Sequence, residues 1–88
     1  MSNTIHKQHV FVGSNKIIVP AGSKFLQAQK QKDQIAVWYQ CDPNAELIES
    51  DILIVGTGWN LPELSVGSWQ YMNTFQEGEF VWHAFYKG

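Results

Sequence analysis

The sequence predicts an all-β, mainly antiparallel domain in which about seven short strands close into a small sandwich or barrel with little or no helix. Apolar and polar residues alternate with a period of two along most of the chain, as in half-buried strands. Turn-forming Gly, Pro, Asn and Asp separate these stretches at short intervals. No window carries the apolar stripe of a helix.

Four strands are predicted in the first half of the chain. They span residues 7–12, 16–19, 24–32 and 35–41. Gly13-Ser14-Asn15 is typical of a turn, Pro20 to Ser23 fits a β-turn, and Asp33-Gln34 marks a tight reversal. In the fourth strand one face is predicted to carry Ile35, Val37, Tyr39 and Cys41.

Three strands are predicted in the second half. Leu47 to Val55 is the most apolar run, and Ile52-Leu53-Ile54-Val55 indicates burial on both faces. A loop from Gly56 to about Gly67 follows, with at most one helical turn. Residues 68–75 and 79–86 form a last hairpin across residues 76–78. In its second strand Phe80, Trp82, Ala84 and Tyr86 face one way, and Val81, His83 and Phe85 the other.

The length of 88 residues predicts one domain, 1–88, with residues 1–6 flexible at its start. A chain this small buries only about two-thirds of its unfolded surface and is marginally stable alone. A single cysteine, Cys41, excludes an internal disulfide. The four Trp, five Phe and three Tyr therefore predict heavy aromatic packing and a homo-oligomer, as a dimer or tetramer.

Charge argues against nucleic acid partners, and the short apolar runs argue against a membrane. The net charge is −2, and all six basic residues are lysines. Because Arg is the usual reader of phosphates and base edges, duplex DNA or RNA is not an expected partner. No apolar run is as long as a membrane span or signal peptide, which with the single cysteine predicts a reducing cytoplasm. Either a modest positive patch for a small anion or a solvated sheet face is expected from Lys7, Lys16, Lys24, Lys30 and Lys32.

The loop after the fifth strand is the candidate ligand-binding site. Gly56-Thr57-Gly58 either brings backbone N–H groups close to a phosphate or provides a tight strand exit with positive φ. It is not a Walker loop, because no Lys-Ser/Thr pair follows. The flanking Trp and Tyr rings either stack on a nucleobase or cover a barrel end or subunit contact. The predicted ligand-binding residues are Thr57, Gly58, Trp59, Asn60, Trp69 and Tyr71.

No catalytic residue, metal site or cofactor is predicted. His83 lies mid-strand, as core and interface histidines do, and Cys41 has no neighbouring histidine to activate it. Glu77 and Glu79 straddle a hairpin tip and are expected to be solvated. Because no general base is expected beside a nucleophile, the protein is predicted not to be an enzyme.

Several segments together resemble a widespread family of small bacteriophage proteins of unknown function. The matching segments are Pro20-Ala21-Gly22-Ser23-Lys24, Trp38, Asp42-Pro43, Val55-Gly56-Thr57-Gly58-Trp59, Leu61-Pro62, Tyr71-Met72-Asn73-Thr74-Phe75-Gln76 and Val81-Trp82-His83-Ala84-Phe85. The match extends over nearly the whole chain from about Val10, and the Gly-Thr-Gly and Thr-Phe-Gln segments are specific in combination. It departs from the family pattern at Asp33-Gln34, where Asn-Gly is expected.

The resemblance implies a phage-encoded anti-defence protein in the host bacterial cytoplasm. One such protein is a sponge, which sequesters a cyclic dinucleotide immune signal without cleaving it and so inhibits CBASS. A sponge needs stacking rings and polar donors but no catalytic set, as in residues 57–71, although the absence of Arg counts against it. The alternatives are a protein-binding inhibitor of a host defence or metabolic enzyme, like an anti-CRISPR, and a minor virion component.

Overall fold

The computed structural model describes residues 3–65 and 67–87, which form seven strands and one short helix. The strands are β1 (Thr4–Val10), β2 (Gly13–Pro20), β3 (Lys24–Gln31), β4 (Gln34–Cys41), β5 (Leu47–Gly56), β6 (Gln70–Glu77) and β7 (Phe80–Lys87). The helix is a single 3-10 turn, Pro62–Ser65, inside the predicted long loop. Within the described ranges no helix is long and apolar enough to cross a membrane.

The strands form two antiparallel sheets that pack as a small sandwich. Sheet 1 has the order β1-β4-β3 and sheet 2 the order β2-β5-β7-β6. Two hairpins, β3–β4 and β6–β7, lie within single sheets, whereas the other connections pass between the sheets or, from β5 to β6, around β7. The predicted all-β antiparallel fold is therefore confirmed.

The inner faces of both sheets form one apolar core. As predicted, Ile35, Val37, Tyr39 and Cys41 of β4 are all buried in it. Burial raises the pKa of the Tyr39 phenol, because the ionised form would lose its hydration. On β7, Trp82 and Ala84 are buried in the same core, whereas Phe80 at the start of the strand is 64 % exposed.

Four local predictions differ from the structure, among them the tip of the last hairpin, which is Gly78-Glu79 instead of residues 76–78. Strand β1 spans Thr4–Val10 instead of residues 7–12, so residues 4–6 pair with β4. The predicted turn at residues 13–15 belongs to β2. The chain passes from sheet 1 to sheet 2 just before it, where the Asn15 side chain accepts a hydrogen bond from the Phe11 N–H and donates one to the Phe11 C=O. The β3–β4 reversal is centred on Lys32-Asp33, one residue earlier than predicted. The Asn15 hydrogen bonds fix the connection before β2, and Lys32 in the β3–β4 turn has a positive φ. Neither feature is visible in the alternation of apolar and polar residues.

Strand β5 is buried on both of its faces, as predicted. Ile52 and Ile54 face the core, while Leu53 and Val55 lie on the outer face of sheet 2 and are also buried. The loop after β5 returns across that outer face, since Trp69 near its end lies under the Lys87 ammonium, 4.5 Å from the ring centroid. The loop is therefore packed against the sheet over which it passes.

Asn73 joins the two sheets along one side of the sandwich. Its Oδ1 accepts a hydrogen bond from the Ala28 N–H, and its Nδ2 donates to the Ala28 C=O, both at 2.8 Å. Residues two apart on a regular strand point to the same face. The bulge between Tyr71 and Asn73 places Tyr71 opposite Phe85 and Asn73 opposite Ala84, so that Asn73 points towards sheet 1 and can make this contact. The side-chain amide thus replaces the pair of backbone bonds that a neighbouring strand would make.

Asn73→Ala is expected to lower the free energy of unfolding by about 1–3 kcal/mol, because it leaves the part-buried N–H and C=O of Ala28 without their partner. Urea denaturation followed by Trp fluorescence measures the loss. Asn60→Ala, at an exposed loop position, is the matched control and should leave the midpoint unchanged. Equal midpoints for Asn73→Ala and the native protein would contradict the assigned role.

Candidate functional site

Four polar side chains form a continuous hydrogen-bonded chain on the outer face of sheet 2. The Thr57 hydroxyl lies 2.6 Å from His83 Nε2, and His83 Nδ1 lies 2.9 Å from the Thr74 hydroxyl. The Thr74 hydroxyl lies 2.6 Å from the Tyr71 phenol. Because all three contacts are exposed, the chain is accessible to a ligand along its length.

Strand register explains why these residues meet. Thr74 and His83 pair directly across the β6–β7 hairpin, and Val55 pairs with His83 from the other side. Thr57 follows two residues after Val55, and its N–H donates to the Val81 carbonyl, which continues the ladder past the end of β5. The hydroxyls of β6 and of the loop are thereby placed on both sides of one imidazole.

The chain presents different donors in different protonation states. A neutral imidazole has one N–H and one acceptor nitrogen, so one end of the chain keeps an outward-pointing hydroxyl proton. This free donor is at Thr57 in one tautomer and at Tyr71 in the other. A protonated His83 donates at both nitrogens and frees both terminal hydroxyl protons, which favours an anionic ligand.

The loop glycines have separate structural roles. The Trp59 N–H donates to the Gly56 carbonyl, which closes a turn with Gly58 at its third position and a φ of +85°. Glycine is the residue that such a position requires. A Cβ on Gly56 would lie 2.7 Å from the Trp59 Nε1, whereas one on Gly58 would meet nothing within 4 Å. Gly56 therefore makes room for the indole, and Gly58 provides the strand exit with an approachable backbone.

Aromatic rings form a shallow groove beside Thr57. Trp59 is 48 % exposed and meets Trp82 edge-on, with ring centroids 5.7 Å apart. Phe80 stacks on Trp82 at 5.8 Å. These rings line a space of about 260 Å³ together with Gly56, Thr57, Glu79 and Val81. Because Phe80 and Trp82 alternate with His83 along β7, this groove opens on the core-facing side of sheet 2, at the end of the sandwich, and the polar chain lies on the other side of the sheet. Trp59 and Phe80 thus offer free ring surface at the Thr57 end of the sheet.

The predicted site residues do not all come together. Thr57, Gly58 and Trp59 lie at the end of β5, and Tyr71 joins them through Thr74 and His83. Tyr71 is 58 % exposed and meets Phe85 edge-on, with ring centroids 5.7 Å apart. Asn60 is exposed and makes no side-chain hydrogen bond to residues 3–65 or 67–87.

Trp69 lies at the far end of the sheet. Its ring packs against Lys87. In the β5–β7 register Lys87 lies opposite Asp51, whereas Trp82, which lines the groove, lies opposite Gly56. Asp51 and Gly56 are five residues apart on β5, a distance of roughly 16 Å. One face of the Trp69 ring is covered by the Lys87 ammonium, and its Nε1 is buried without an acceptor among the described residues. Trp69 thus lies apart from the other predicted site residues and lines a separate depression with Lys16, Asp51 and Lys87.

Sequence reasoning missed Thr74 and His83 as members of the site. His83 was expected to be a core or interface residue, but it bridges two hydroxyls on the outer face. Two histidines also lie beside groups that the sequence placed apart from any histidine: the Thr57 hydroxyl is 2.6 Å from His83 Nε2, and the Cys41 Sγ is 3.6 Å from His6 Nδ1. The observed tip is Gly78-Glu79, so Glu77 pairs with Phe80 and Thr74 with His83. The predicted tip at residues 76–78 would have paired Tyr71 with His83, which is why the sequence did not single out Thr74.

Glu77 connects the groove to sheet 1. Its Oε1 accepts a hydrogen bond of 3.1 Å from the Trp82 Nε1, and its Oε2 forms an ion pair with Lys30 of β3. The hydrogen bonds from Lys30 and then Trp82 lower the pKa of the Glu77 carboxyl. Glu77 was expected to be a solvated tip residue, but it holds the central indole of the groove in place.

The comparisons with known proteins identify a family without assigning an activity. A family model described as a domain of unknown function, DUF7352, matches residues 1–88, so the chain belongs to that family. Neither the curated proteins nor the solved structures include a match.

Glu77→Gln is expected to remove a pH-dependent part of the stability. Because the folded pKa lies below the unfolded value, the Glu77 contribution is complete above the unfolded pKa and disappears as the pH falls through the folded pKa. Urea midpoints measured from neutral to strongly acidic pH should show the native protein above the variant at neutral pH and level with it in acid. Glu79→Gln is the control, because no lysine among the described residues lies within 4 Å of Glu79. A constant gap between native protein and Glu77→Gln would contradict the assignment.

Proposed function

We propose that this member of the DUF7352 family is a binding protein that sequesters a cyclic dinucleotide on the outer face of sheet 2. The observation that carries the proposal is the exposed chain from Thr57 through His83 and Thr74 to Tyr71. The exposed Tyr71 ring lies at one end of this chain, and the half-exposed Trp59 ring lies two residues beyond Thr57, where the sheet ends. A cyclic dinucleotide has the matching pattern of two flat bases and a polar phosphate ring between them.

Each part of the ligand has a partner on this face or at its Thr57 end. One base stacks on the free surface of Trp59, with Phe80 beside it, and the other on Tyr71. Base stacking on an aromatic ring is worth about 1–3 kcal/mol per base. The phosphates accept hydrogen bonds from the terminal hydroxyls of the chain and from the backbone at Gly58, which no side chain covers. With this arrangement no Arg is needed.

The site binds its ligand without cleaving it. An exposed hydroxyl–imidazole pair alone is not enough for hydrolysis, which also requires a group that stabilises the developing oxyanion and a site closed to water. The imidazole is held by two hydroxyls rather than by a carboxylate. In the proposed role, release of an unchanged ligand distinguishes a sponge from a phosphodiesterase.

The biological setting follows from the resemblance to small bacteriophage proteins. We place the protein in the host cytoplasm, where it lowers the free concentration of a CBASS signal as a homo-oligomer. Self-association is supported by several large apolar side chains that are more than half exposed, which association would bury. Outside the proposed ligand site these side chains are Ile5, Phe11, Ile18 and Leu47.

A second candidate function is inhibition of a host protein. Strand β1 is the last strand of sheet 1, and Thr4 to His9 are all exposed. An edge strand of this kind can pair with an extended segment of another protein. If no nucleotide in a panel of cyclic and linear compounds shifts the Tm, while one host protein binds stoichiometrically and Gln8→Pro in β1 abolishes that binding, this second function replaces the first.

Trp59→Ala is expected to weaken cyclic dinucleotide binding by about 5- to 150-fold, the loss of one stacked base. Isothermal titration of the purified protein measures the Kd, and the Tm of the unliganded variant shows whether the fold survives. Phe11→Ala removes a ring that is 72 % exposed in the connection between β1 and β2 and serves as the matched control. Unchanged affinity of the folded Trp59→Ala variant would exclude Trp59 from the site.

Tyr71→Phe separates hydrogen bonding from stacking. The ring remains, but the hydroxyl that ends the polar chain is lost. We expect the Kd to rise about 2- to 10-fold, the value of one hydrogen bond, whereas Tyr71→Leu should lose the stacking contribution as well. Chromatography of the ligand recovered after denaturation tests for cleavage. A hydrolysed product would show that the protein is an enzyme and contradict the sponge.

A further inference from the structure

A second concave surface lies on the opposite side of the sandwich from His83. It is a depression of about 420 Å³ on sheet 1, between β1 and the β3–β4 turn. Its lining residues are Lys7, His9, Gln31, Lys32, Asp33 and Gln34. The Lys7 ammonium reaches across β4 to the Gln31 Oε1, at 2.7 Å. The β4 residue between His9 and Gln29 is the small, buried Ala36.

The charge of this depression is positive, although the chain is acidic overall. Lys16 and Lys30 form ion pairs with Asp51 and Glu77. In contrast, no acidic side chain of residues 3–65 or 67–87 lies within 4 Å of the Lys7 or Lys32 ammonium. Asp33 is the one carboxylate in the lining, so the two ammonium groups and this carboxylate give a net charge of +1 with His9 neutral.

Lys32 occupies a backbone position that suits glycine. Its φ of +56° is the one positive φ among the described non-glycine residues, and it falls at the first of the two central residues of the β3–β4 turn. Glycine is preferred at this position of a two-residue hairpin loop, because a Cβ is strained there. Lysine has no short polar side chain to compensate locally, as Asn or Asp would. Backbone strain of this kind is typical of functional positions.

We propose that this depression binds the phosphate group of a small molecule. The Lys7 and Lys32 ammonium groups supply the two positive charges, and lysine binds phosphate as a compact point charge. Since the Gln31 Oε1 is occupied by Lys7, the Gln31 amide presents its NH₂ group as a donor. The Gln34 amide and the His9 imidazole complete a ring of donors around the depression.

The test titrates inorganic pyrophosphate into the ¹⁵N-labelled full-length protein, with sodium chloride added to match ionic strength. Saturable shifts of the amide signals of Lys7, His9 and residues 31–34 are expected. In Lys32→Gly we expect opposite effects on stability and binding: the Tm rises because the strained residue is replaced, while the Kd for pyrophosphate increases about 2- to 5-fold through the loss of one exposed ion pair. Lys7→Gln should weaken binding similarly.

Lys24→Gln is the matched control, because Lys24 is an exposed lysine of β3 outside the depression and the change in net charge is the same. It should bind pyrophosphate like the native protein. The proposal is overturned if the shifts do not saturate, if they are equally large around Lys24, or if Lys32→Gly binds with native affinity. Because the depression and Trp59 lie on opposite sheets, the outcome is independent of the nucleotide experiments.

Discussion

The side-chain amide of Asn73 is the contact on which the arrangement of the two sheets depends. It occupies both backbone groups of Ala28 and so connects the edge of sheet 2 to the edge of sheet 1. Lys30 and Glu77 add an ion pair on the same side. The β6–β7 hairpin is thereby held by sheet 1, while the opposite edges, β1 and β2, have no strand beside them among the described residues. A rigid hairpin is what places Thr74, His83 and Trp82 reproducibly.

The apolar outer face of β5 determines where the following loop goes. Leu53 and Val55 would be exposed on sheet 2 if nothing covered them, so the chain after Gly56 gains stability by returning over this face. Trp69 secures the return at the far end under Lys87. The loop begins at the other end of the sheet. There the Trp59 ring packs against Gly56, and the Thr57 hydroxyl contacts His83.

The two broad faces of the sandwich have different chemistry. Sheet 2 presents the exposed Tyr71 ring and a chain of hydroxyls around one imidazole, which suits a ligand with flat and polar parts. Sheet 1 presents lysines and glutamine amides, which suit a compact anion. Both surfaces rest on strands rather than on long loops, so their geometry depends on register and can be altered by single substitutions without unfolding the core.

Alternation along the chain was enough to predict the strands, the inward face of β4, the double burial of β5 and the last hairpin, because strand periodicity and turn chemistry are local properties. It was also enough to single out Thr57 and Trp59 in a glycine-rich loop. Only the tertiary structure decided that His83 joins Thr57 and Thr74, that Trp69 lies at the other end of the sheet, and that Lys7 and Lys32 share a depression. The physical reason is that these contacts join residues on different strands. Which strands become neighbours, and in which register, depends on a bulge at Met72 and on side-chain bonds such as those of Asn73, neither of which changes the alternation that the sequence displays.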